Sequence, residues 1–424
     1  MSMMLLALGI ATLLVLRVPA AFAILGPCLV YMIAGGRSTG LSLRMVTEAV
    51  DSFPLLAVPL FILVGVIANH TGIAERLFEF ALATVGRLRA SLGYVNIGVS
   101  LGFSWMSGSA LADAAGLGKV EVPAMMRNNY PRKFAVGLTA ASSVIGPVMP
   151  PSIPAIIYAS VAAVSTGALF AASIVPAALM ATGLALAVFI WSRWQTGLRG
   201  EPFAWRRFRT ATLHVLGPLG APVIILGGIL GGLFTPTEAA AVAAAYVLVL
   251  GLAYRKLSLR DLGSIVRDTA TTTASITLII AASGLLGWIL AREQVPQAIA
   301  EAMLGITDSQ IVFLLIVNVL LILIGSVLEG TSALVITVPI LLPIAVQFGV
   351  DPLHFGVIVI LNLMIGLLTP PIGMVLYVMS PVTDTPVHEV FRGTAPFLIP
   401  LVAVLLLVTF VPSVVLGLPH ALGL

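Results

Sequence analysis

Two stretches 220 residues apart carry residue types that could hold a cation. The first is Ile145-Gly146-Pro147-Val148-Met149-Pro150-Pro151-Ser152, and the second is Ile365-Gly366-Leu367-Leu368-Thr369-Pro370-Pro371-Ile372-Gly373. Proline lacks an amide proton and clashes with the preceding turn, so paired prolines must interrupt a helix and free its carbonyl oxygens. Roughly 40 residues ahead of each break stand small hydroxyl residues beside glycine. These are Ser104, Ser107, Gly108 and Ser109 before the first break, and Gly330, Thr331 and Ser332 before the second. Hydroxyls and unwound carbonyls together supply the oxygen ligands that a hard monovalent cation such as sodium needs, without strong net charge. The plainer reading is helix packing, since small residues let membrane helices approach closely. Repetition beside a double-proline break favours a site.

Two acids lie in the same apolar surroundings. Asp113 and Glu329 are candidates for cation coupling or gating, because intramembrane acids are functional by default. Either could instead cap a hairpin arm, where a carboxylate meets free amides. Thr235-Pro236-Thr237-Glu238 has the spacing of a capping box, which makes Thr235 and Glu238 structural. Asn362 stands one turn before Gly366 and could reach the second break; its counterpart is Ser142, followed by Ser143. Gly118-Lys119 lacks the flanking glycine and hydroxyl of a phosphate-binding loop, and the scattered histidines form no zinc-protease motif. The single cysteine, Cys28, reads as a small buried hydrophobe.

Such groups need a scaffold, and composition says which kind. Only 9% of residues are charged and 59% are hydrophobic, against about 25% charge in a soluble chain. The chain is a multispanning membrane protein without a large soluble domain. Its net charge of +4 is not a nucleic-acid signal, because the basic residues sit in short loops between apolar runs. The segment 3–16 followed by Ala21-Phe22-Ala23 resembles a signal peptide, but no basic residue precedes it, so a retained first helix is expected.

Apolar runs predict helices over 3–16, 18–35, 54–69 and 71–87. A re-entrant hairpin over 91–122, an interrupted helix over 134–164 and a long helix over 168–190 follow. A basic connection, 193–209, divides the chain. The second half runs 218–234, 237–253 and 269–290, then a hairpin over 309–346, an interrupted helix over 355–382 and a last span over 394–416. The expected fold is an all-α polytopic membrane protein of about eleven spans and two hairpins. Its regions are N-terminal scaffold helices (1–90), a first transport repeat (91–190), a cytoplasmic connection (191–217), second scaffold helices (218–304) and a second transport repeat (305–424). With 193–209 cytoplasmic, alternation puts Arg37, Arg44, Arg87, Arg89, Arg127, Arg132, Lys133, Arg255, Lys256, Arg260, Arg267 and Arg392 on that side, and Arg17, Arg76 and Arg292 outside. The hairpins then enter from opposite faces, as in inverted repeats built for alternating access about a midplane site.

SGSALADAAGLG (107–118), IGPVMPPSIPAIIY (145–158), GLFTPTEAAAVAAAY (232–246) and LNLMIGLLTPPIG (361–373) resemble the large membrane subunit of the tripartite ATP-independent periplasmic (TRAP) transporters. The resemblance covers nearly the whole chain. It implies sodium-driven secondary uptake of an organic acid (a dicarboxylate, sugar acid or related carboxylate) in a bacterial inner membrane, with no cofactor beyond the coupling ion. It also implies a periplasmic binding protein and a small four-helix membrane subunit as partners, and an elevator-type movement. Carried onto this chain, the cation sites involve Ser104, Ser107, Gly108, Ser109, Ser143, Gly146 and Pro147 in the first repeat. In the second they involve Gly330, Thr331, Ser332, Asn362, Gly366 and Thr369. The substrate lies against Ser109, Pro150, Ser152, Thr331, Pro370 and Gly373, helped by amides at half-helix ends. Met149 stands where the second copy has Thr369, so the two cation sites are not chemically identical. The main rival is a self-sufficient sodium/anion symporter of similar architecture. An intramembrane enzyme would need a nucleophile–base set, paired acids or a metal triad, and none lies within helical reach.

Overall fold

A computed structural model describes residues 3–16, 18–195, 197–198, 200, 202–305 and 307–424, which form twenty α-helices and one short 3-10 turn. The first half contains α1 (Met3–Val15), α2 (Ala20–Ala34), α3 (Thr39–Val50), α4 (Ala57–His70) and α5 (Ile73–Val85). Its hairpin is α6 (Ser91–Ser107) with α7 (Ala110–Arg127); its interrupted helix is α8 (Arg132–Ser143) with α9 (Ile153–Ala162); α10 (Thr166–Arg193) closes it. The second half contains α11 (Trp205–Leu230), α12 (Pro236–Ala253), α13 (Leu259–Arg292) and α14 (Val295–Leu304). The hairpin α15 (Gln310–Val327) and α16 (Gly330–Gln347), the pair α17 (Pro352–Gly366) and α18 (Met374–Thr383), then α19 (Val387–Phe410) and α20 (Ser413–Ala421) complete it. Eight helices are long and apolar enough to cross a membrane, and the all-α polytopic class with two hairpins and two broken helices holds.

The internal repeat runs deeper than its two motifs. At the same 220-residue offset α5 answers α14, α10 answers α19, and α3 with α4 answers the single helix α13. Proline makes that last difference. Pro54 opens the 3-10 turn Phe53–Leu56 between α3 and α4, whereas its counterpart Ala274 lets α13 run on unbroken. Scaffold packing follows the pseudo-symmetry, because α2 packs on α13 as α12 packs on α4.

Contacts at the helix ends correct the predicted crossing order. Arg76 lies over the Tyr254 ring, Arg207 bonds Glu79 at 3.1 Å, and the Arg87 backbone touches Gly200. Tyr254 ends α12 and Arg207 begins α11, so both ends of α5 sit at one face and α5 lies along it. The 71–87 segment therefore does not cross, which puts Arg76 on the face of the 193–209 connection. Arg37 pairs with Glu293 at 2.9 Å, at the far end of α13, so Arg37 belongs to the opposite face and not to the basic side. Arg44 lies on the short helix α3 that follows it, where it pairs with Glu48. Arg17, and the side chain of Arg260, lie outside the described residues. Hydropathy alone misled here; the signal that marks the helix is amphipathicity, since α5 carries Glu75, Arg76 and Glu79 along one face, as an interfacial helix does. Elsewhere α11 starts at Trp205, inside the predicted connection, and the last span is α19, which ends at Phe410 before the short α20.

The two transport repeats are tied to each other. Arg132, at the start of α8, donates from Nε to Thr385 Oγ1 at 2.9 Å and from Nη2 to the Thr383 and Asp384 carbonyls that end α18. Tyr158 of α9 donates to the Pro352 carbonyl of α17 at 2.6 Å. Helices α8 and α19 cross at bare backbone, where a Cβ on Gly137 would lie 2.1 Å from the Gly393 carbonyl. The capping box at Thr235 and Glu238 is formed: Glu238 Oε2 accepts from Thr235 N at 2.8 Å, and Thr235 Oγ1 accepts from Glu238 N at 3.3 Å.

Candidate cation and substrate site

The first hairpin tip sits on the first break. Gly108 has a left-handed φ of +57, and a Cβ there would lie 3.2 Å from the Pro151 carbonyl oxygen, so the turn requires glycine. Ser109 caps α7, its Oγ accepting from Ala112 N at 3.4 Å. Because the cap position is filled, Asp113 is not a capping residue. It is fully buried; Ser107 donates its hydroxyl to Oδ1, and Oδ2 has no hydrogen-bond partner among the described residues. Gly146 faces that oxygen so closely that a Cβ on it would lie 2.3 Å from Oδ2. A buried carboxylate oxygen without a donor is costly unless a cation balances it. Carboxylate, hydroxyl and unwound backbone together fit a hard monovalent cation.

The second tip is built differently. Only Leu328 and Glu329 separate α15 from α16, so Gly330, Thr331 and Ser332 form the first turn of the arm rather than the tip loop. Glu329 is the cap of α16, with Oε2 accepting from Ser332 N at 3.0 Å. In the repeat frame Ser109 corresponds to Glu329 and Asp113 to Ala333, which corrects the pairing of 107–109 with 330–332. The second break is stitched to α15, as Ile372 N and Gly373 N donate to the Ser326 carbonyl at 3.2 and 2.9 Å. A Cβ on Gly366 would lie 2.6 Å from the Gly325 carbonyl carbon. Both breaks hold a cis peptide, Pro150-Pro151 and Pro370-Pro371. Exposure separates them: 144–152 is buried throughout, whereas Pro370, Pro371 and Ile372 are exposed.

Asn362 spends its amide hydrogens on α15 and on its own helix, while its Oδ1 is buried with no partner among the described residues. Its Nδ2 donates to Asn318 Oδ1 and to the Ile358 carbonyl, both at 2.8 Å, and Asn318 continues to Thr409 Oγ1 at 3.0 Å. Ser142 does the equivalent work in the first copy, donating to Asn96 Oδ1 at 2.8 Å. These residues lock helix to helix one layer behind the breaks.

A cavity of about 990 Å³ lies between the two tips. Ser107, Gly108, Ser109, Pro147, Thr331 and Ser332 line it, with Glu329 as the one charged side chain in the lining among the described residues. The amino ends of α7 (Ala110, Leu111, Ala112), α9 (Ile153, Pro154), α16 (Thr331, Ser332) and α18 (Met374) all reach it. Each helix start carries roughly half a positive charge, so four converging ends favour an anion. Ser104, Ser143, Gly146, Gly330, Gly366 and Thr369 stand behind the wall. Ser104, Ser143 and Thr369 donate their hydroxyls to Leu101, Ala140 and Ile365 carbonyls of their own helices. Pro150, Ser152, Pro370 and Gly373 do not line the cavity either. Ser152 caps α9, accepting from Ala155 N at 3.1 Å and donating to the Pro147 carbonyl. Sequence reasoning missed Asn69 of α4, Tyr377 of α18, and Thr271, Thr272 and Ser275 of α13, all of which line the cavity. The run Thr271-Thr272-Thr273 inside a long apolar helix was the available signal.

Repeated hairpins and broken helices around a cavity are the architecture of a membrane transporter. The family model for the tripartite ATP-independent periplasmic transporter, DctM component, matches residues 7–414. The chain belongs to this family, as a large permease protein, and is a multi-pass protein of the inner membrane. It is 46% identical over 407 residues to the sialic acid TRAP transporter large permease protein SiaM of Vibrio cholerae, covering 95% of each chain. To the sialic acid TRAP transporter permease protein SiaT of Haemophilus influenzae it is 40% identical over 380 residues, 88% of this chain and 61% of that longer one. To the C4-dicarboxylate TRAP transporter large permease protein DctM of Pseudomonas aeruginosa it is 36% identical, over 89% of this chain and 88% of the other. Among solved structures, the YdaH transporter of Alcanivorax borkumensis shares the fold with a TM-score of 0.60 at 15% identity, over 88% of both chains.

Proposed function

We propose that this permease drives uptake of an organic acid with the sodium gradient, the acid being delivered by a periplasmic binding protein and the chain being buttressed by a small four-helix membrane subunit. One observation carries the reading: four helix amino ends converge on a cavity beside a buried carboxylate oxygen that lacks a donor. The amino ends suit the substrate's carboxylate. Asp113, with Ser107 and the backbone near Gly146, suits sodium in the first repeat, and the α16 start against 366–369 supplies a second, less charged site. A sugar acid of the sialic acid type is the first substrate to test, since two relatives at 46% and 40% identity are named for that compound, and eight hydroxyl side chains stand in an otherwise mostly apolar cavity wall. The ties from Arg132 and Tyr158 bind the two transport repeats into one unit, which suits movement of that unit against the α2, α4, α12 and α13 scaffold as an elevator.

The test is the sodium dependence of uptake in Ser109→Ala and Ser332→Ala. Each should need more sodium for half-maximal uptake while the purified protein stays assembled. Unchanged sodium dependence in both variants would remove the assignment of the tips as cation sites.

A further inference from the structure

A second buried carboxylate lies on the hairpin arm that carries Asp113. Glu121 of α7 is fully buried and faces a polar cluster from α6 and α8. Asn96 Nδ2 donates to Glu121 Oε2 and, at 2.7 Å, to Thr139 Oγ1. Ser100 donates to Ser142 Oγ at 2.9 Å, Ser142 to Asn96 Oδ1 at 2.8 Å, and Thr139 to the Ala135 carbonyl at 2.9 Å. Counting protons, each hydroxyl has one and the amide two, and all are spent within the cluster. None remains for Glu121 Oε1, which has no partner among the described residues.

Among the described residues no buried cation stands by to balance this carboxylate. Helix α6 brings only Tyr94 as a titratable group, and α18 only Tyr377. Arg132 and Lys133 begin α8 about two turns from Thr139, both are exposed, and Arg132 is bound to α18. On α7 itself, Lys119 and Arg127 are exposed. The other buried carboxylate on α7 is Asp113. A sodium ion needs several oxygen ligands, and here α6, α7 and α8 are continuous helix, with none of the unwound carbonyls that stand beside Asp113. One free oxygen suits a proton.

We infer that Glu121 is a proton-binding site linked through α7 to the cation site at Asp113, so that sodium arriving at Asp113 releases a proton from Glu121. This rests on the reading of Asp113 as a sodium ligand. Eight positions apart at about 1.5 Å per residue, the carboxylates stand about 12 Å apart along the helix. At an effective dielectric of about 20 that separation corresponds to about a tenfold mutual effect on cation affinity. Linkage is reciprocal, so sodium must bind more tightly as the pH rises and Glu121 loses its proton.

Sodium binding to the full-length chain in lipid nanodiscs tests this by calorimetry in buffers of different ionisation enthalpy, which counts protons released. Because Asp113 can exchange a proton of its own for sodium, the expected result is a larger proton release per sodium in the wild type than in Glu121→Gln, and a sodium affinity that changes less steeply with pH in that variant. Sodium binding without proton release in the wild type would overturn the linkage while leaving the sodium reading intact; absence of sodium binding would overturn both. Equal proton release in a folded Glu121→Gln would place the proton elsewhere and also overturn it. If that variant fails to fold, Asn96→Ser removes the one N–H bound to the carboxylate, and should shrink the proton release. An unchanged release there would count against the proposal.

Discussion

Replacing Asp113 with asparagine keeps the side chain's shape and removes its charge. One oxygen remains for the Ser107 hydroxyl, so the hairpin tip should keep its geometry. What is lost is attraction for a cation in the gap facing Gly146. A unit charge at about 4 Å, with an effective dielectric of about 20, contributes about 4 kcal/mol. Half-maximal sodium for uptake should therefore rise roughly a thousandfold, beyond the usable range. Stability should move the other way. Because Oδ2 is buried without a donor, the neutral variant should melt higher than the wild type in sodium-free buffer. Sodium should raise the melting temperature of the wild type only, as a ligand that binds the folded state does. Proteoliposome uptake and thermal unfolding of the same preparations give both readings. A variant with wild-type sodium dependence and an unshifted melting temperature would refute the role given to Asp113.

Three further outcomes follow from local geometry. Gly137→Ala drives a methyl into the Gly393 carbonyl and should cost about 1–3 kcal/mol as overpacking, read as a lowered melting temperature; an unchanged melt would mean that α8 and α19 separate freely. Glu238→Ala breaks the capping box that opens α12 and should lower the melting temperature slightly without altering sodium affinity; a transport defect at wild-type stability would contradict its structural role. Arg37, and then Tyr31, hold the Glu293 carboxyl below the usual glutamate value of 4.5. That contribution is present above 4.5 and is lost as the pH falls through the lowered value, so the acid side of the melting profile should flatten in Arg37→Ala; identical acid profiles would show that the pair adds nothing.

The double prolines were the most legible feature, because Pro150-Pro151 and Pro370-Pro371 cannot continue a helix wherever the chain places them. The capping box at Thr235 was equally local, and it formed as its spacing required. Side-chain direction was not legible. Asp113 and Ser109 are one helical turn apart, and only the structure shows that Ser109 takes the cap while Asp113 turns inward to Gly146. Glu121 was overlooked because the predicted arm stopped at 122, which put it at a wet end; α7 continues to Arg127 and buries it. The same limit applies to α5, whose hydropathy suits a short span but whose charged residues find Tyr254 and Arg207 at one face. Asn362 stood at helical spacing from the break, yet its amide was claimed by Asn318, a residue 44 positions away that no local pattern could pair with it.

Uptake into proteoliposomes tests the central claim most directly. The chain would be reconstituted with its small membrane subunit and given a sialic acid and a C4-dicarboxylate. Uptake would be measured with and without an inward sodium gradient, and with and without the cognate binding protein outside. The expected result is accumulation only when gradient and binding protein are both present. Accumulation with sodium alone would make the chain a self-sufficient symporter, and accumulation without any sodium gradient would contradict the cation site built on Asp113.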